Sequence, residues 1–361
     1  MTASGGEHEV LVRVDYGIGR LTLNRPRTIN ALNQSMVLQM AAALSSWVED
    51  SAVTAVVIDG AGDRGLCAGG DIRAIYADAN SGGSQTLGFW RDEYRLNAQI
   101  ARYPKPVVAL MDGLVMGGGV GISAHASHRV VTDRSVVGMP EVRIGMVPDV
   151  GGTYLLSRAP GLIGTHLALT AGSMTGADAV ALGLADRRAR HDQLDALIER
   201  IAEIGADRAL AELDNPAPDS TLISQRHWID DCYRGADPLA IVAGLRSHGT
   251  AESWAAADAI TAAAPTAVSV TLRAVRIAAS MPTLEAALEQ EFGIASRILR
   301  SADLVEGIRA QVIDKDRQPA WSPARLEDVT PETVDAFFVP SDNVVFPSAA
   351  APSITSVGSH A

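Results

Sequence analysis

Apolar and polar residues alternate along 9–15 and again along 18–24, on either side of Tyr16-Gly17. That period of two predicts a β-hairpin. The segment Asn24-Arg25-Pro26-Arg27 ends the second strand. From Ser35 to Glu49 the period lengthens, with Met36, Leu38, Met40, Leu44 and Trp47 among the apolar positions, and an amphipathic helix is expected. VTAVVI at 53–58 does not alternate, which predicts a strand buried on both faces. It empties into a glycine-rich loop, 59–65, followed by LCAGGDI at 66–72 and a helix to about residue 79. A second apolar run, Val107 to Met111, leads through Asp112-Gly113 to Gly117-Gly118-Gly119 and a small-residue stretch with helical potential, Val120 to Ser127. Strand, glycine loop and helix thus occur twice, as an internal repeat of ββα kind.

Between the two units, 84–103 reads as a helix carrying Phe89, Trp90, Tyr94 and Leu96, with Glu93 on or beside that face. Strands at 129–133 and 135–139 lead to a corner, Met139-Pro140-Glu141. Helical patterns then dominate, at 162–171, 176–182 and 192–204. A Pro/Ser-rich connector at 215–222 precedes helices at 238–247, 251–263, 266–280, 283–299 and 302–311. The expected organisation is α/β over 1–205, all-helical over 206–340, and a small, polar tail without order at 341–361.

Composition narrows the class. The chain of 361 residues is 47% hydrophobic and 20% charged, and contains no apolar run of membrane-spanning length. Its net charge of −12 disfavours nucleic acid as the main partner, though a few local cations suffice for an anionic small ligand. Cys67 and Cys232 have no ligand-like spacing, and the first ten residues lack the pattern of a secretory signal. A reducing, cytoplasmic setting is expected, with no metal.

Candidate chemistry gathers at 104–152. A strand, a glycine turn and a helix start present backbone N–H groups to negative charge. Taken alone, the glycine triplet is better read as a flexible turn or a close approach of backbone to a helix. Gly119 to Ala124 fits a loose G-x-G-x-x-A pattern, but Asp112 to Gly118 separate it from its strand, unlike a dinucleotide site. Neither a phosphate-binding P-loop nor a G-x-S-x-G elbow is present. Cys67 has no adjacent His, and His125 with His128 have one nearby acid, Asp133, too few for a metal site. Downstream, Glu141 and Asp149 are carboxylates set among apolar residues, Pro and Gly.

Three blocks in register decide the reading: CAGGDI at 67–72, PKPVVALMDGLVMGGGVG at 104–121 and MPEVRIGMVPDVGG at 139–152. Together they resemble the crotonase, or enoyl-CoA hydratase/isomerase, superfamily. The resemblance implies a spiral of ββα units followed by a helical region. It also implies an acyl-CoA partner, and no cofactor beyond the CoA carried by the substrate. Gly70 and Gly118 match the two backbone donors that hold the thioester oxygen. Hydratases of the family carry a glutamate where this chain has Gly121, so hydration is expected to be impaired. Glu93 in FWRDEYRLN and the late stretch EGIRAQVIDKDRQPAW (306–321) resemble the branch that hydrolyses β-hydroxyacyl-CoA thioesters. That resemblance implies Glu141 and Asp149 as catalytic acids, Glu93 and Gly118 as substrate contacts, and Arg25, Arg27 and Ala68 near the CoA, with Arg73 and Lys105 as further cations. Alternatives are an isomerase or hydratase, and a non-catalytic acyl-CoA-binding subunit. Assembly as a homo-oligomer is common in the superfamily.

Overall fold

The structure, a computed structural model, describes residues 8–82, 84–213, 218–340 and 344–346. The expected hairpin is formed by β1 (Val10–Asp15) and β2 (Ile18–Leu23), antiparallel with Val10 opposite Leu23. β3 (Ala55–Gly60) pairs parallel with β2, and β4 (Val107–Met111) pairs parallel with β3. Every side chain of β4 is buried, as its unbroken apolar run requires of a central strand. β4 continues through Asp112-Gly113 into β5 (Leu114–Met116), and β6 (His128–Thr132) continues into β7 (Val136–Gly138). β7 pairs parallel with β5 on one side and antiparallel with β8 (Ser173–Thr175) on the other, in a three-stranded sheet. β9 (Arg187–Ala189) closes a six-stranded sheet of order β1-β2-β3-β4-β6-β9. The passage from β4 through β5 into the helical turn Gly118–Gly121 makes the expected ββα turn, whereas in the unit over 53–79 the second strand is reduced to an isolated bridge between Cys67 and Val115.

Around the sheets lie α1 (Gln34–Trp47), α2 (Ile72–Asn80), α3 (Gln85–Ala101), the single turn α4 (Gly118–Gly121), α5 (Gly152–Leu156), α6 (Ile163–Thr170), α7 (Gly176–Ala181), α8 (Leu194–Ile204) and α9 (Ala206–Ala211). The later chain is helical: α10 (Thr221–Cys232), α11 (Pro238–His248), α12 (Ala251–Ala262), α13 (Pro265–Ala278), α14 (Leu284–Ile298), α15 (Ala302–Ile308) and α16 (Pro331–Asp335). Among the described residues no single helix is long and apolar enough to cross a membrane. One apolar core holds residues from both sides of the expected 205/206 boundary, with Tyr94 of α3 meeting Phe292 of α14 edge to face.

Differences from expectation have local causes. The stretch 120–127 makes one helical turn and then irregular turns, since glycines resist helix formation and the Ser123 hydroxyl bonds back to the Gly119 carbonyl. β5, β8 and β9, of three residues each, are too short to show a period. α10 falls where no helix is expected, because Ser224 to His227 interrupt its apolar positions Leu222, Trp228 and Ile229. Leu38, expected on the apolar face of α1, is 50% exposed. The last expected helix, 302–311, is α-helical to Ile308 and then widens into a π turn over Arg309–Ile313. The expected disorder of the tail concerns mainly 341–343 and 347–361, which lie outside the described residues.

Candidate active site

Backbone pairing builds the first half of the site. Leu66 N–H donates to the Asp112 carbonyl (2.9 Å), Cys67 N–H to that of Leu114 (3.1 Å), and Met116 N–H to that of Cys67 (2.9 Å). The loop after β3 is thereby laid along β5, and Gly70 is brought against Gly118. A methyl group added to Gly118 would lie 3.4 Å from the Gly70 nitrogen. Among the described residues neither of these N–H groups has a hydrogen-bond acceptor, and both glycines line one cavity. Two free, converging N–H groups suit an oxygen that gains negative charge. Gly117 adopts φ 48° and ψ −116°, and a Cβ there would fall 2.8 Å from Oε1 of Glu141. Glycine is therefore required, so that the backbone can turn and the carboxyl can approach.

Carboxyl groups from three elements build the other half. Glu93 projects from α3, Glu141 opens the 3₁₀ turn Glu141–Ile144 after β7, and Asp149 sits in the turn before α5. They are 2%, 7% and 7% exposed and share a cavity of about 280 Å³ with Gly70 and Gly118. Oε1 of Glu93 and Oε2 of Glu141 are buried without hydrogen-bond partners among the described residues. The Tyr94 hydroxyl donates to Oδ2 of Asp149 (2.7 Å). Burial, and then the charge of Asp149, holds Glu141 and Glu93 well above the usual carboxylate range. Burial also pushes Asp149 up to about 6, against the lowering effect of the Tyr94 bond. A proton thus stays within the group near neutral pH, beside carboxylate able to accept one.

The profile of the enoyl-CoA hydratase/isomerase family matches residues 18–338. This chain belongs to the enoyl-CoA hydratase/isomerase family. Among its relatives, it is 36% identical to the mitochondrial 3-hydroxyisobutyryl-CoA hydrolase of Gallus gallus, over 93% of this chain and 90% of that protein. To the Homo sapiens enzyme of the same name it is 35% identical, over 91% and 88%. Among solved structures it is similar to a carnitinyl-CoA dehydratase from Mycobacterium thermoresistibile (50% identity, TM-score 0.92, 95% of this chain and 100% of that one). It is also similar to an enoyl-CoA hydratase from Rhodobacter sphaeroides (41% identity, TM-score 0.87, 92% and 97%).

Against this family background, Gly121 is filled from outside. A Cβ on Gly121 would lie 2.6 Å from Cβ of Val150 and 3.0 Å from Nδ2 of Asn97, so no side chain fits there. Ala68 lines the cavity. Arg25 is half-buried, with its guanidinium bonded to the Ala31 carbonyl, Asp71 and Glu9, whereas Arg27 is exposed. Arg73 bonds to the carbonyl of Val312, and Lys105 to those of Trp47 and Asp50, tying elements together. Cys67 is fully buried, and burial pushes its thiol up to about 12, which suits packing and not attack. Sequence reading missed the partnership of Tyr94 with Asp149 and the wall formed by Leu304 and Ile308 of α15. The only sequence signal for the first was its place next to Glu93. For the second, the late stretch 306–321, which includes Ile308, resembled the hydrolase branch but did not place α15 at the site.

Proposed function

We propose that the protein is a 3-hydroxyisobutyryl-CoA hydrolase, releasing the hydroxy acid and free CoA. The observation that carries the reading is the convergence of Glu93, Glu141 and Asp149 on the two unpaired glycine N–H groups in one buried cavity. Relatives of that name at about 35% identity, matched over most of both chains, support it. The thioester oxygen accepts from the Gly70 and Gly118 N–H groups. Glu141, once ionised, takes a proton from water, the resulting hydroxide adds to the carbonyl carbon, and the oxyanion rests on the two glycines. Collapse breaks the C–S bond, and Glu141 returns the proton to the departing sulfur. The same carboxylate could instead attack the carbon to form an anhydride that water then opens, and single-turnover labelling with H₂¹⁸O separates the two.

Asp149, as carboxylate, accepts the 3-hydroxyl of the substrate, while Glu93 keeps its proton and donates to the acyl group. An ester lacking that hydroxyl leaves a buried charge unpaired, which is the basis of selection. Arg27, Ala68 and the loop held by Arg25 form the CoA entrance. The reading needs no cofactor beyond the CoA of the substrate. It includes a cytoplasmic setting, supported by two free, buried cysteines, although the named vertebrate relatives are mitochondrial, and it includes assembly as a homo-oligomer.

The test is thiol release from 3-hydroxyisobutyryl-CoA, run beside crotonyl-CoA, a 3-enoyl-CoA and carnitinyl-CoA. Thiol release from the hydroxyacyl ester, abolished in Glu141→Gln with folding intact, supports the proposal. Double-bond chemistry without thiol release, or near-normal turnover in E141Q, refutes it.

A further inference from the structure

Asp149 is followed by a strained turn. Val150 has φ 52°, a left-handed conformation that a β-branched residue rarely adopts, and Gly151 has φ 80°. The turn is gripped from two sides. His125 Nε2 lies 2.8 Å from the Val150 carbonyl oxygen. From α14, far along the chain, Glu291 reaches in: Oε2 accepts from Gly151 N–H (2.7 Å) and Oε1 from Thr153 N–H (2.9 Å) and the Thr153 hydroxyl. Glu291 is 0% exposed, and no cation is paired with it among the described residues. The N-cap of α5 is Gly151, which offers no side chain of its own.

Burying a carboxylate is unfavourable unless its hydrogen bonds are complete. A helix start of five residues is ordinarily satisfied by a local Ser, Thr, Asp or Asn. Here the acceptor comes from a distant helix and spans both ends of the kink, from the residue after Val150 to Thr153. A side chain on Gly151 would strike His125 and Leu284, so the turn has no other packing available. Relaxation of Val150 out of its left-handed conformation would swing the peptide that follows Asp149, and the carboxyl with it.

We infer that Glu291 is a positioning residue for the reaction: it holds the Val150–Gly151 kink and thereby aims Asp149 at the 3-hydroxyl of the substrate. This rests on the function proposed above. Glu291 touches no reacting atom, so its loss acts through Asp149.

The experiment compares the wild type with Glu291→Gln on 3-hydroxyisobutyryl-CoA and on isobutyryl-CoA, which lacks the hydroxyl. Glutamine keeps the shape but turns an amide N–H₂ toward one of the backbone donors. The expected result is a fall of about 10²-fold in kcat for the hydroxy ester, the scale of a misplacement near 1 Å. KM changes less, and the preference for the hydroxy over the deoxy ester shrinks by a similar factor. A purely structural role would lower the melting temperature and slow both esters alike. A folded E291Q that keeps the hydroxyl preference overturns the inference. Should E291Q fail to fold, Thr153→Val, which removes one of the donors to Glu291, decides the matter. A reduced hydroxyl preference in T153V supports the inference, and an unchanged one overturns it. Absence of thiol release by the wild type would refute the function, and this inference with it. Release by the wild type with unaltered preference in the variants would refute the inference alone.

Discussion

Replacing Tyr94 by Phe removes one hydroxyl and little else. The ring is fully buried and stands edge-on to Phe292 with centroids 5.9 Å apart, a contact that phenylalanine preserves. What disappears is the 2.7 Å bond to Oδ2 of Asp149. A hydrogen bond to a charged group is worth about 1.5–3 kcal/mol, and one pKa unit is about 1.4 kcal/mol, so Asp149 should rise by about 1–2 units. Starting from about 6, it reaches about 7–8 in Y94F. The carboxylate is the form that reads the 3-hydroxyl, so activity requires deprotonation and the acid limb of the pH–rate profile moves upward. At pH 7 the ionised fraction drops from about 0.9 to between about 0.5 and 0.1, a two- to tenfold loss that vanishes above about pH 9. Because Glu141 and Asp149 titrate as a pair, the quantity to follow is the apparent acid limb and not a single residue. The assay is kcat/KM for thiol release from 3-hydroxyisobutyryl-CoA between pH 5 and 10. An acid limb that stays in place, or a loss equal at all pH values, would falsify this account of Asp149.

Further outcomes follow from the same crowding of carboxyl groups. Asp149 stands at about 6, Glu291 at about 8, and Glu93 and Glu141 higher than usual, so each holds its proton to a higher pH in the fold than in the unfolded chain. The unfolded state then binds fewer protons, and stability falls as pH rises through those folded values. Melting temperature should decline from pH 5 to pH 9, and a curve that rises instead would contradict the burial of these groups. For the same reason Glu141→Gln, while inactive, should melt higher than the wild type at pH 8, by about 1–1.5 °C for each kcal/mol of relieved charge burial in a chain of 361 residues. Gly121→Glu should not create a hydratase, since its side chain would drive into Val150 and Asn97. It should destabilise by at least about 1–3 kcal/mol in urea unfolding, and a stable variant that hydrates crotonyl-CoA would overturn this description of the packing.

Much of the scaffold was legible along the chain. The hairpin around Tyr16-Gly17, the buried runs at β3 and β4, and the helices α1 and α3 follow from apolar spacing, which acts over a few residues and needs no partner. Gly70, Gly118, Glu141 and Asp149 stood out because three blocks fell in register, and Glu93 because it lies on or beside the apolar face of its helix in FWRDEYRLN, a stretch that resembles the hydrolase branch. Short-range pattern could not show β5, β8 and β9, which exist only through strands far off in sequence, nor α10, whose polar middle hides its buried face.

The ββα repeat, the helical second half and the residue types at the site are written in local periodicity or in motifs, and so were readable along the chain. Which groups meet depends on how distant segments pack. Loop-to-strand bonds set the Gly70 and Gly118 N–H groups together. Packing of α3 put the Tyr94 hydroxyl on Asp149. α14 carried Glu291 to the Val150–Gly151 kink. One cause underlies all three. A hydrogen bond or a buried charge depends on distance in space, and the residues concerned are separated by tens to more than a hundred positions of chain.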